Sequence, residues 1–429
     1  MALESATTRE APMTTLPALR FKIHHQLLDQ YDLARLQRMT PERQRAEVKS
    51  WVESRLASER AAINAAEHRQ LVEDIQHEML GLGPLEPLLQ DPAISDILVN
   101  GPDQIYVERS GCLSLDNRRF EDADHLTRTI ERIVSRVGRR IDESSPMVDA
   151  RLADGSRVNV IIPPLALDGP MLSIRRFGAI PLTLDRLIQA GSLTEEMAGR
   201  LQHYVQARLN ILISGGTGSG KTTLLNVLSG FVSPLERLIT IEDAAELRLR
   251  QAHVVRLETR PANLEGQGEI TARQLVRNAL RMRPDRLIVG EVRGAEAVDM
   301  LQAMNTGHDG SLTTLHANSP GDALVRLENM VALGHGGLSE TNIRAQISSA
   351  LHVIVQTARL PDGSRKITAI AELCGRHGRE FRIRPQFRFV AQGYDADGMI
   401  EGTFRAASEA SLFASRLPGA APVLEGVLA

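Results

Sequence analysis

Lysine is almost missing from this 429-residue chain. Of 50 basic residues only Lys22, Lys49, Lys221 and Lys366 are lysine, which leaves 46 arginines. Codon bias accounts for the skew, and the placement of each lysine becomes more informative. Aromatic residues are scarce at 3%, and no stretch interleaves them with basic residues, which speaks against stacking on nucleic-acid bases. Neither charge dominates: 50 basic against 53 acidic residues leave a net charge of -3, so no global positive field draws a polyanion. Cysteine is limited to Cys112 and Cys374, far apart and without metal-ligand spacing, so a reducing compartment and no thiolate zinc site are expected. No apolar run approaches the ~20 residues that cross a bilayer, and MALESATTRE lacks a charged-then-apolar leader pattern. The expectation is a cytoplasmic protein that meets a membrane only through partners.

What is present is a soluble composition, 42% apolar and 24% charged, on a chain long enough for two or three domains. Residues 1–80 read as a start followed by a helical arm. The first twenty or so residues, polar and small, are expected to be disordered, and Arg43 to Met79 runs at helical spacing with almost no Gly or Pro. Residues 81–182 read as a small α/β domain, with strands in ISDILVNG, QIYVERSG, SRVNVIIPP and MLSIRRF and a helix in DADHLTRTIERIVSRVG. Residues 183–429 begin with a helical segment, Leu184 to Arg208, and then alternate strands and helices from NILIS onward. That alternation predicts a mostly parallel sheet with helices on both faces, its chemistry at the carboxyl ends of the strands. VIVQTARL and KITAIAEL add final strands before a small tail rich in Gly and Ala.

The strand NILIS runs directly into GGTGSGKTT, which opens the helix TTLLNVLSG. Gly215, Gly216, Thr217, Gly218, Ser219, Gly220, Lys221, Thr222 and Thr223 thus form a phosphate-binding loop of the G-x-x-x-x-G-K-[ST] kind. Glycine lets backbone amides turn inward around phosphate oxygens, and the helix start adds free N–H groups and partial positive charge. Lys221 can reach the β- and γ-phosphates, and the Thr222 hydroxyl can ligate Mg2+.

A nucleoside triphosphate also needs a metal and an orienting group for water. Glu242, with Asp243 and Glu246 behind it, leaves the strand in RLITIEDAAEL, and Glu291 follows Gly290 at the end of RLIVGEVRG. The usual Asp at that second strand tip is replaced by Gly290, so Glu291 must serve the metal or the water; the plainer alternative is a solvated acid at a helix start. His316 ends SLTTLHANS and is either a γ-phosphate sensor or a structural residue. Arg151 and Arg157 flank a tight turn in DARLADGSR, and Arg175 and Arg176 end LSIRRF; with 46 arginines, spacing alone does not select among them. His24 and His25 are expected at the surface.

These motifs, in this order, resemble the ATPases of type II and type IV secretion and pilus assembly, most closely the CpaF-type branch of tight-adherence pili. The likeness rests on the phosphate loop, on TIEDAAEL, LRMRPDRLIVGEVRGAEA and TGHDGSLTTLHANS, and upstream on GLGPLEPLL and VDARLADGSRVNVIIPP. It implies a RecA-like P-loop motor domain preceded by a smaller α/β amino-terminal domain and a helical arm, assembled as a homo-hexamer that uses ATP and Mg2+. It places Glu242 in the family's acidic box, Glu291 at the metal or water, and His316 at the γ-phosphate. It makes Arg151 and Arg157 arginine fingers and Arg175 a further nucleotide-side contact. The implied partner is an inner-membrane platform protein, with no nucleic acid. The four-cysteine zinc module of type II members has no counterpart after the histidine motif, where Cys374 stands alone. Two other readings remain open at this point: a nucleic-acid translocating ring and a nucleotide-gated scaffold that barely turns over.

Overall fold

The computed structural model describes residues 16–416, apart from 32–34, 37, 60–62, 110, 177–181, 263–266 and 379. The chain divides into two compact units, residues 1–179 and 180–429.

The first unit opens with helices α1 (Leu16–Gln30), α2 (Pro41–Glu59) and α3 (Ala65–Leu80). The expected disordered start is corrected over residues 16–20, which already form the first turns of α1; residues 1–15 lie outside the described residues. The cause is spacing. Leu19, Ile23 and Leu27 recur every fourth residue and bury one stripe against Val52, Leu56 and Ile75, worth roughly 1.5–3 kcal/mol for each side chain. Asn64 caps α3 by accepting from the amides of Ala66 and Glu67, and Glu67 accepts from the Asn64 amide in return.

After α4 (Glu86–Gln90) come β1 (Ile94–Asn100), β2 (Ile105–Arg109), β3 (Cys112–Leu115), α5 (Ala123–Arg136), β4 (Met147–Arg151), β5 (Arg157–Ile161) and β6 (Met171–Arg175). The strands form a six-stranded sheet, ordered β3-β2-β1-β6-β5-β4, in which every pairing is antiparallel. Alternation puts Ile97, Val99, Val107, Val158, Val160, Leu172 and Ile174 on one face, beneath Leu126, Ile130 and Ile133 of α5.

The second unit starts with α6 (Leu184–Gln189) and α7 (Glu195–Gln206). The single helical segment expected there is broken at Gly191, whose φ of +63° ends α6. There follow β7 (Ile211–Gly215), α8 (Lys221–Ser229), β8 (Leu238–Glu242), β9 (Val254–Glu258), α9 (Ala272–Ala279), β10 (Arg286–Val289), α10 (Glu296–Asn305), β11 (Leu312–Leu315), α11 (Pro320–Gly334) and α12 (Glu340–Ala350). Four strands close the unit: β12 (Val353–Arg359), β13 (Arg365–His377), β14 (Glu380–Tyr394) and β15 (Ile400–Ala406). The nine-stranded sheet runs β15-β14-β13-β12-β7-β11-β10-β8-β9. From β12 to β9 each neighbouring pair is parallel, and β13 to β15 are added antiparallel. The last two strands replace most of the expected tail; residues 417–429 of that tail lie outside the described residues. One apolar cluster covers each face of the parallel half. Ile211 and Ile213 join α7 and α8 on one side, and Leu212 joins α9 to α12 on the other.

The surface position expected for the paired histidines holds for His25 alone. His24 is buried at 8% exposure, on the side of α1 that meets α5, its ring 6.2 Å from that of His125. His125 Nε2 lies 2.9 Å from the buried Glu78 carboxylate. Burial, against the pull of Glu78 and with the push of His125 and His25, lowers the His24 pKa from 6.5 to about 4. The unfolded chain therefore takes up a proton that the folded chain refuses, so stability is full above pH 6.5 and drains as the pH falls toward 4. Between pH 8 and pH 5 the first unit should lose about 2 kcal/mol through this one group. Urea unfolding followed by Trp51, the chain's single tryptophan, should show that loss and show less of it in His24→Asn; equal pH dependence in the two proteins would contradict the assignment.

Candidate functional site

The site grows from β7, whose five residues are all buried. At its end, a Cβ on Gly215 would lie 2.4 Å from Thr357 O and Oγ1, so the close approach of β12 admits only glycine here. The loop then turns through Gly218 and Gly220, with φ of +69° and +95°, conformations that glycine adopts without strain. Gly220 is the cap from which α8 begins at Lys221. The amides of the first turn of α8 are therefore free for an anion.

Lys221 is 8% exposed. Its Nζ donates to the carbonyls of Gly215 at 3.1 Å and Gly216 at 2.9 Å, and lies 3.4 Å from His316 Nε2. The same His316 nitrogen is 3.1 Å from Glu291 Oε1, and Arg293 Nη2 donates to Glu291 Oε2 at 2.9 Å. Three residues singled out in the sequence, on α8, after β11 and after β10, thus form one connected chain. Burial pushes the Glu291 carboxyl up, but the bond from Arg293 and the charges of Arg293, His316 and Lys221 outweigh it and hold the group below its usual range. Burial lowers the ammonium of Lys221 against the pull of Glu291, and burial and the Lys221 charge lower His316.

Glu242 takes a different place. It is 5% exposed, and its Oε1 accepts from the amides of Glu246 at 2.8 Å and Leu247 at 2.9 Å. Burial raises its pKa against those two bonds. A Cβ on Gly290 would sit 2.9 Å from Glu242 Cγ. The space that an aspartate at the tip of β10 would need is filled by the glutamate of the adjacent β8, which is the physical reason for glycine at 290.

Thr222 and Thr223 are half-buried on the first turn of α8, while Gly216, Thr217 and Gly218 are exposed and Ser219 is buried at 4% exposure. Among the described residues no group of three His, Cys, Asp or Glu side chains could hold a metal ion. A magnesium ion fits this setting in its usual manner, through one hydroxyl or carboxylate plus phosphate oxygens and water, and Thr222 and Glu291 offer those ligands.

Arg151, Arg157 and Arg175 belong to the first unit and stand in one row across its sheet. Arg151 is the register partner of Arg157, and Arg157 of Arg175. Arg175 Nε donates to Asp96 at 3.2 Å on the next strand. Sequence reasoning missed Arg293, hidden in LIVGEVRG two residues past the acid it bonds, and Thr357, which no local pattern marks.

A glycine loop between a buried strand and a helix, with a buried lysine at its end, defines a P-loop α/β protein. A family model described as Type II/IV secretion system protein matches residues 78–384, and the chain belongs to that family. It is 44% identical to a putative conjugal transfer protein of Mycobacterium tuberculosis over 311 residues, 71% of this chain and 88% of that one. It is 35% identical to the type IV secretion system protein PtlH homolog of Bordetella bronchiseptica over 309 residues, 65% of this chain and 89% of that one. Among solved structures it is similar to the VirB11 ATPase of the Brucella suis type IV secretion system, at 31% identity and a TM-score of 0.37, covering 67% of this chain and 94% of that one.

Replacing Gly290 by Ala should push against Glu242 and lower the stability of the second unit by about 1–3 kcal/mol, read as a lower urea midpoint. Gly216→Ala, where an added Cβ meets nothing within 4 Å, should leave the midpoint in place. Equal midpoints for the two variants would remove the steric explanation.

Proposed function

We propose that this chain is an ATP-hydrolysing motor of the CpaF type, working as a homo-hexamer that powers pilus assembly or protein secretion through an inner-membrane platform protein. The observation that carries the proposal is the buried Lys221 at the loop-to-helix junction, linked through His316 to Glu291 within 3.4 Å at each step. Membership of the secretion family supports the motor reading. Among the described residues no helix is long and apolar enough to cross a membrane.

In this reading the loop amides and the amino end of α8 bind the triphosphate, and Lys221 Nζ exchanges carbonyl partners for β- and γ-phosphate oxygens. Magnesium, when bound, neutralises phosphate charge and polarises the γ-phosphorus; Thr222 would hold it, with Glu291 nearby. Glu291, kept ionised by its cationic neighbours, takes a hydrogen bond from the attacking water and orients it. His316 touches both the lysine and the glutamate, so loss of the γ-phosphate alters its partners and can be passed on as movement. Arg151, Arg157 and Arg175 add positive charge against the phosphates, and Glu242 supports the strand tip beside Glu291.

A second reading, a nucleic-acid translocating ring, draws on the conjugal-transfer names of several relatives. The low aromatic content and the net charge of -3 stand against it.

Lys221→Ala should lower ATPase turnover about 100-fold or more, measured as phosphate release from the purified full-length protein. Turnover near that of the unaltered protein would reject the site. DNA-stimulated, strongly salt-dependent hydrolysis would favour the second reading over the first.

A further inference from the structure

The eight residues 150–157, ARLADGSR, recur as residues 358–365, ARLPDGSR, with a single difference at Ala153 and Pro361. Both copies fold into the same hairpin turn. Leu152 N donates to Ser156 O at 2.9 Å and Leu360 N to Ser364 O at 2.8 Å, and each glycine amide returns to the leucine carbonyl at 2.9 Å. Gly155 and Gly363 have φ of +92° and +84°, and Asp154 and Asp362 each accept from a serine amide at 2.9 Å. Each turn sets its two arginines opposite one another, Arg151 with Arg157 and Arg359 with Arg365. Cross-strand partners project from one face, so each hairpin carries a paired cationic tip.

The second hairpin joins β12 to β13 within the unit that holds the phosphate loop. Because β12 runs parallel to β7 with Thr357 beside Gly215, its turn lies at the end of the sheet where that loop emerges. Arg365 Nε donates to Gly218 O at 2.8 Å, and its Cδ lies 3.8 Å from where a Cβ on Gly220 would be. Arg359 Nη1 is 3.8 Å from the corresponding point on Gly218. Ile400 N, on β15, donates to Asp362 Oδ2 at 2.7 Å and holds the turn in place. Among the described residues Arg365 meets no carboxylate, and its Nη groups have no hydrogen-bond partner. A guanidinium beside a phosphate makes paired, charge-assisted bonds to its oxygens.

We propose that Arg359 and Arg365 bind the polyphosphate tail of the nucleotide, so that the motor unit supplies its own arginine pair in addition to the one at Arg151 and Arg157. This rests on the nucleotide-binding reading of the Gly215–Thr222 loop. The test is calorimetric binding of ADP and of a non-hydrolysable ATP analogue to the full-length protein. Arg365→Gln and Arg359→Gln should each weaken both ligands about tenfold, with unchanged circular dichroism. Arg365→Lys, which keeps the charge but loses the planar fork, should fall between the unaltered protein and Arg365→Gln. Unchanged affinity in both glutamine variants would overturn the proposal. Lys221→Ala separates the two levels. Loss of binding there with none in the glutamine variants defeats the arginine pair alone, whereas retained binding there defeats the loop reading beneath it.

Discussion

Everything in the second unit converges on one ammonium group, Lys221 Nζ, held by two carbonyls at the junction of a buried strand and a helix. A buried cation is costly unless acceptors surround it, and here the loop supplies them at 2.9 and 3.1 Å. Those carbonyls belong to Gly215 and Gly216, and Gly215 has room for no side chain because Thr357 of β12 presses against it. The strand order then explains the rest. With β7 between β12 and β11, and β10 beyond β11, the residues that end these strands face a common edge. His316 follows β11, Glu291 follows β10, and the arginine hairpin follows β12.

The acids divide along the same line. Glu291 sits beside Arg293, Lys221 and His316, which together hold its pKa below the usual range. Glu242, two strands away from β11 and inside the fold, is pushed toward its neutral form and spends one oxygen on two backbone amides. One carboxylate thus faces Arg293, His316 and the Lys221 charge, and the other builds the wall against which Gly290 packs. Two glutamates at neighbouring strand tips, alike in sequence, take different physical roles because their surroundings differ.

Much of this is legible in the residues alone. NILIS before GGTGSGKTT, and apolar runs ending in Glu291 and His316, mark strand tips, because parallel strands buried on both faces read as continuous apolar runs. The long-range contacts are not legible. Nothing near Gly290 reveals that Glu242, 48 positions earlier by its number, fills the missing side chain's space. The antiparallel extension escapes notice because β14 and β15 mix arginines with half-buried positions, which lack the apolar signature of the central strands. His24 is buried by the docking of α1, a tertiary event that a pair of adjacent histidines does not announce. The recurrent ARLxDGSR string is plain in the sequence, but its meaning depends on which loop the second copy touches.

The most direct measurement is a crystal structure of the full-length protein with a saturating non-hydrolysable ATP analogue. The expected result places the β- and γ-phosphates within hydrogen-bond reach of Lys221 Nζ and the amides at the start of α8, with Thr222 facing the metal. A loop that stays free of phosphate, with Lys221 still bound to the carbonyls of Gly215 and Gly216, would contradict it.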